Sequence, residues 1–133
     1  MREIMQKLQI LSVLPGSKGK VNIRFENGVE VALYRGEIRG LPQQEGMLLL
    51  QEEAYIPIEL YDKVLYEIVA LRAKKRAMFL LEQMDRTESQ LREKLRKNGY
   101  PDVCVEEALL YVKKYHYIDD LRYAVHYIKY HQQ

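Results

Sequence analysis

Early in the chain apolar residues alternate with polar ones, the period of a strand with one face turned inward. Leu8, Ile10, Val13 and Leu14 mark a first strand, which Pro15-Gly16-Ser17-Lys18-Gly19 breaks. Val21, Ile23 and Phe25 alternate with Asn22 and Arg24, and Val29, Val31 and Leu33 alternate with Glu30 and Ala32. Side-chain parity sets the loop between these two strands. A two-residue Asn27-Gly28 turn would pair Phe25 with Glu30 and put the apolar faces on opposite sides. A three-residue loop, Glu26-Asn27-Gly28, pairs Phe25 with Val29, Ile23 with Val31 and Val21 with Leu33, and makes Gly28 the left-handed residue. Residues 34–39 suit a short helix before Gly40-Leu41-Pro42, and the apolar run at 47–50 suits a further strand.

From Pro57 the period lengthens. Leu60, Val64, Ile68, Leu71, Met78 and Leu81 recur at helical intervals as far as Met84, with Pro57 acceptable in a first turn. That is long for a globular helix, so the pattern implies either a kink or a helix that bridges the sheet and the shorter helices beyond it. Thr87 and Gln90 then form a capping box, Leu91 and Leu95 give one apolar stripe, and Asn98-Gly99 stops the helix. Pro101 opens the next, whose inward positions are Val105, Ala108, Leu109, Val112 and Tyr115. Asp119 or Asp120 caps a fourth helical segment to about His131. In it Tyr123, Tyr127 and Tyr130 form a stripe beside Leu121, Ala124, Val125 and Ile128. A helix apolar over that much of its circumference needs cover on two sides.

Composition narrows the class. A hydrophobic fraction of 47% with 30% charged residues is that of a soluble globular chain, and 133 residues suffice for one domain or two small units. No apolar run reaches the length of a membrane span and Met1-Arg2-Glu3 leads into no signal core, so the expected location is cytoplasmic, with no membrane partner. Cys104 is alone and reads as a small apolar filler. Net charge is +2, unevenly spread: residues 1–61 carry seven Lys and Arg against eight Asp and Glu, residues 62–133 fourteen against eleven. Arg72, Lys74, Lys75 and Arg76 are the densest basic cluster. Such a cluster is ordinarily a solvated face; its functional reading is a surface for an acidic partner or phosphates.

The sequence carries no signature of catalysis. Gly16-Ser17-Lys18-Gly19-Lys20 lacks the spacing of a phosphate-binding loop and leads into a strand. His126 and His131 fall on different sides of a helix and His116 sits in a turn, so no metal or other cofactor is expected. Glu88 with Arg92 and Glu93 with Lys97, four apart, read as surface helix support worth about 0.2 to 0.5 kcal/mol each.

One ordered set of residues is more specific than any of its parts. Arg86-Thr87-Glu88, Leu91-Arg92 and Lys94-Leu95 are followed by Lys97-Asn98-Gly99-Tyr100-Pro101, and after a spacer by Tyr117-Ile118-Asp119-Asp120 and Arg122-Tyr123-Ala124. The string resembles the RecX regulatory proteins, bacterial modulators of the RecA recombinase. It departs from them at His116, where the family usually has Gly, and at Leu121, where an acidic residue is usual. The resemblance implies an α+β chain: a small antiparallel β-rich subdomain at 1–56, a long helix plus a three-helix repeat at 57–118, and at 119–133 the first helix of an incomplete second repeat. Gly40-Leu41 and Gly46 resemble the end of the β-rich extension of Gram-positive members, although another small antiparallel sheet packed on helices fits as well. On this reading the chain is a fragment, and the Tyr123, Tyr127 and Tyr130 stripe packs against absent helices or, alternatively, stacks on nucleic acid.

The resemblance further implies a non-enzymatic regulator that binds the RecA–DNA filament and modulates, usually inhibits, its recombinase and ATPase activities in DNA repair and the SOS response. Stacked three-helix units suit a filament groove. The candidate contact residues are Arg72, Lys75, Arg76, Arg86, Arg92 and Arg96, with a weak non-specific DNA contact and self-association through Tyr123, Tyr127 and Ile128 as further partner expectations. Two other classes stay open. One is an adaptor for a different protein. The other is a helix-turn-helix DNA-binding module built from 87–98 and 101–115, against which Asp102, Glu106 and Glu107 in the second helix's first turns would repel phosphates.

Overall fold

The computed structural model describes residues 6–118 together with 124, 125 and 128. The chain divides into two compact units, Met1–Val69 and Ala70–Gln133. The first is built on three strands whose alternation is set by parity: β1 (Lys7–Pro15), β2 (Lys20–Phe25) and β3 (Glu30–Tyr34). Between β2 and β3, Ile23 pairs with Val31 and Val21 with Leu33, as the three-residue loop requires. The Phe25 N–H donates to the Val29 carbonyl at 2.9 Å, and Gly28 takes φ +88°. Ile10, Val21, Ile23, Phe25, Val31 and Leu33 all point inward and are buried. In β1 one extra residue lies between the Ile10–Phe25 and Ser12–Arg24 pairs, and this bulge leaves Leu11 exposed.

Two elements of this unit differ from the sequence expectation. Residues 47–50 do not form a strand: α1 (Arg35–Arg39) is followed by α2 (Gln43–Leu49), with Met47 exposed and Leu49 buried. Four consecutive apolar residues carry no period, and Pro42 with its fixed φ precedes the first turn of a helix here. The fourth strand is instead β4 (Tyr55–Pro57), which pairs antiparallel with β1 through Leu8 and Ile56, giving the order β3-β2-β1-β4. Pro57 ends this edge strand and caps the helix after it.

The long helical stretch is also interrupted. α3 (Ile58–Asp62) passes into a π-helical segment, Lys63–Val69, and α4 (Ala70–Gln83) follows. Buried positions in the π segment step by five, Leu60 to Leu65 and Val64 to Val69, as i→i+5 winding demands. In the first unit Tyr61 meets Phe25 edge-on at 5.0 Å, and its hydroxyl accepts from Asn27 Nδ2 at 3.0 Å. The boundary expected at 56/57 therefore differs from the division at Val69–Ala70, because α3 and the π segment pack on the strands. In α4 the buried residues are Ala70, Ala73, Ala77 and Leu80, one position earlier than the Leu71, Met78 and Leu81 of an uninterrupted α-helical stripe.

The second unit packs α4 against α5 (Glu88–Lys97) and α6 (Asp102–Lys114). Leu91 and Leu95 from α5 meet a core that includes Cys104, Val105, Ala108, Leu109 and Val112 from α6. Tyr115, expected as the next inward position, is half exposed, because α6 ends at Lys114 and His116 takes φ +60°. The segment 119–133, with its tyrosine stripe and His126 and His131, lies outside the described residues apart from Ala124, Val125 and Ile128, which are helical and exposed.

Candidate interaction surface

α5 is fixed at both ends. The Thr87 hydroxyl accepts from the Gln90 N–H at 3.1 Å and Gln90 Oε1 accepts from the Thr87 N–H at 2.9 Å, the capping box read from the sequence. At the far end Gly99 has φ +91° and its N–H donates to the Arg96 carbonyl at 2.9 Å. With Leu91 and Leu95 inward, the residues next to them in sequence, Arg92 and Arg96, reach α6. Arg92 donates to both carboxylate oxygens of Glu106, at 2.8 and 3.1 Å, and to Glu88 at 3.2 Å. Lys113 reaches the other Glu88 oxygen at 2.8 Å, and Arg96 Nε donates to Asp102 at 3.2 Å. The Lys113 hydrogen bond, aided by Arg92, holds the Glu88 carboxyl below its ordinary range. The Arg92 hydrogen bond does the same to Glu106, and Glu106 in turn raises the Arg92 guanidinium.

These pairs bear directly on the expected contact residues. Arg92 and Arg96 bind α5 to α6, Arg86 Nε donates to the Leu80 carbonyl at 3.3 Å, and Arg76 Nε donates to Asn98 Oδ1 at 3.0 Å. The Arg76 guanidinium also lies 5.1 Å from the Phe79 ring centroid. Arg72 is half-buried near Cys104, whose thiol is pushed up to about 12 by burial, an effect that the Arg72 charge partly offsets. Lys75 is exposed. Four of the six residues thus also serve the helices' own packing.

Lys75 does share a groove of about 480 Å³ with Leu71, Lys74, Met78, Phe79, Glu82 and Tyr111. Leu71 and Phe79 are half exposed there, the consequence of α4 burying its alanines instead. Tyr111 leads to two more rings: its centroid is 5.0 Å from that of Tyr115 and 6.4 Å from that of Tyr117, and Tyr115 and Tyr117 are 6.3 Å apart. Lys74 Nζ sits 5.6 Å from the Tyr111 ring and Lys114 Nζ 5.5 Å from that of Tyr115. The sequence did hold a signal for this cluster, the run Tyr111-Val112-Lys113-Lys114-Tyr115-His116-Tyr117, but assigning Tyr115 to the core concealed it. Among the described residues no three His, Cys, Asp or Glu converge on a metal site, and no helix is long and apolar enough to cross a membrane.

The family model for the first three-helix domain of RecX matches residues 73–111, which run from α4 into α6. The regulatory protein RecX of Clostridium perfringens strain 13 is 30% identical over 80 residues, covering 60% of this chain and 38% of that protein. The regulatory protein RecX of Clostridium acetobutylicum is 31% identical over 80 residues, 60% of this chain and 37% of that one. That of Caldanaerobacter subterraneus subsp. tengcongensis is 34% identical over 83 residues, 62% and 42%. The chain thus spans about two fifths of the length of the curated relatives it matches. A crystal structure of regulatory protein RecX is similar with a TM-score of 0.49 and 21% identity, over 92% of this chain and 57% of that one. With its capped α5, its left-handed Gly99 and the matched span coinciding with the three packed helices, the stretch from α4 into α6 is similar to the first three-helix domain of the RecX regulatory proteins.

Proposed function

We propose that this chain acts as a non-enzymatic, cytoplasmic regulator that binds the RecA–DNA filament and lowers its ATPase and recombinase activities. The observation that carries this reading is the match of residues 73–111 to the first RecX three-helix domain, together with relatives named as regulatory proteins. On this reading the filament contacts draw on Arg72, Lys75, Arg76, Arg86, Arg92 and Arg96, with Lys75 reaching the partner directly and the paired arginines shaping the surface. Neither a cofactor nor a membrane takes part, and any DNA contact through these charges is weak and non-specific. Exposed Val125 and Ile128 support self-association through the stretch that carries them; sedimentation of a concentration-independent monomer would remove that element. Against a helix-turn-helix reading stands the first turn of α6, where Asp102 is largely exposed and would face phosphates.

The test is the rate of single-stranded-DNA-dependent ATP hydrolysis by RecA, titrated with this chain and with a version extended beyond Gln133. Inhibition by either supports the regulator reading, and loss in the shorter chain places the working surface beyond it. No effect from either, with filaments intact, overturns it.

A further inference from the structure

We propose that Tyr111, Tyr115 and Tyr117, flanked by Lys74, Lys75 and Lys114, form a stacking site for single-stranded nucleic acid. The proposal concerns tyrosines rather than the α5 arginines, and oligonucleotide binding is measured without RecA, so its failure and that of the filament reading are distinguishable. Three rings lie with all centroids within 6.4 Å of one another, and Tyr117 is tilted only 31° and 36° from its two neighbours. Tyr115 and Tyr117 are 50% and 42% exposed, enough ring surface for bases to reach. Every base has a π face, so such rings accept an unpaired strand whatever its sequence. In a duplex those faces are already stacked on one another.

The lysines supply the backbone term. The Lys74 and Lys114 ammonium groups rest 5.6 and 5.5 Å from ring centroids, an attraction weak enough at an exposed site for a phosphate to draw them off. A phosphodiester would then sit at the cluster's edge while a base takes the vacated ring face. Lys75 continues the cationic border along the groove, in which Glu82 is the one carboxylate among the described lining residues. Lys113, although next in sequence to Lys114, is committed to Glu88 at 2.8 Å. An acidic amphipathic helix from a partner protein is the competing occupant, since Leu71 and Phe79 offer it an apolar floor. The grouped rings and the ammonium groups bordering them favour nucleic acid, which offers a flat face and a phosphate together at each nucleotide, whereas an acidic helix offers no flat face to the rings.

The experiment measures anisotropy of a labelled oligothymidine of about 20 nucleotides, longer than the site of one stacking module, titrated with the whole chain across a salt series. We expect saturable binding that falls about tenfold or more in Tyr115→Leu/Tyr117→Leu with the salt slope unchanged. Tyr115→Phe/Tyr117→Phe should bind like the parent, which separates ring loss from misfolding. Lys74→Gln/Lys75→Gln/Lys114→Gln should reduce the salt slope by about 0.7 for each lysine that meets a phosphate. The chain has no tryptophan and 11 tyrosines, so quenching of tyrosine emission on binding is a second readout. Parent-like affinity in the leucine variant, equal preference for duplex, or no binding by the parent overturns the proposal. Absent oligonucleotide binding combined with loss of RecA inhibition in the lysine variant assigns the groove to a protein partner instead.

Discussion

His116 holds a left-handed backbone, φ +60°, at the position where a glycine would carry no steric cost. Replacing it with Gly should stabilise the second unit by up to about 1 kcal/mol, the left-handed penalty less the added chain entropy. Gly99, at φ +91°, has the opposite sensitivity: Gly99→Ala should cost about 1 to 2 kcal/mol. Thr87→Ala removes the acceptor for the Gln90 N–H and should cost about 1 kcal/mol. Urea denaturation of the three variants checks all of these, and equal midpoints for Gly99→Ala and the parent would mean that the turn is not held as described. Thr87 and Gly99 are legible in sequence because caps and stops are local. His116 was legible only through the glycine that the resemblance leads one to expect there.

At the scale of the helices, the ion pairs decide. Arg92 bridges two carboxylates, one of them on α6, so Arg92→Ala should destabilise the second unit by about 1 kcal/mol even though the residue lies at the surface. It is consequently a poor probe of partner binding unless stability is measured alongside. The pH dependence has a definite sign. Glu88 and Glu106 titrate below their ordinary value when folded, so their contribution is full above the unfolded carboxyl pKa of about 4.3 and is lost as pH falls through the folded values. Thermal melts should therefore drop below about pH 4.3, and less so in Glu106→Gln, where Arg92 retains only Glu88. Pairs such as Arg92 with Glu106, 14 residues apart, cannot be read from helical spacing, whereas Glu88 with Arg92 was. The β2–β3 register was legible because parity allows one answer. The strand β4 was not: with three residues, its pairing is dictated by β1 rather than by any period of its own. The π segment was equally hidden, since a five-residue step in burial looks in sequence like ordinary three- and four-residue spacing with one member missing.

Over the whole molecule, fold class and the similarity to RecX proteins were legible because an ordered string of caps, stops and turns is specific even where each piece is common. The candidate surface was legible only in part. Charge pointed to the second unit, but which cations face outward there depends on where α4 turns its alanines and on which carboxylates α6 presents to α5. The tyrosine cluster needed the end of α6 to be placed before Tyr115 could leave the core. Within that core, Cys104 is the chain's single thiol, fully buried among the three helices, with a proton held up to about 12. An alkylating reagent at neutral pH meets neither an accessible sulfur nor a thiolate until the helices separate. Alkylation kinetics of the untouched chain should therefore report the opening free energy of the three-helix unit, with no label introduced, and Gly99→Ala should quicken the reaction by the factor its lost stability sets.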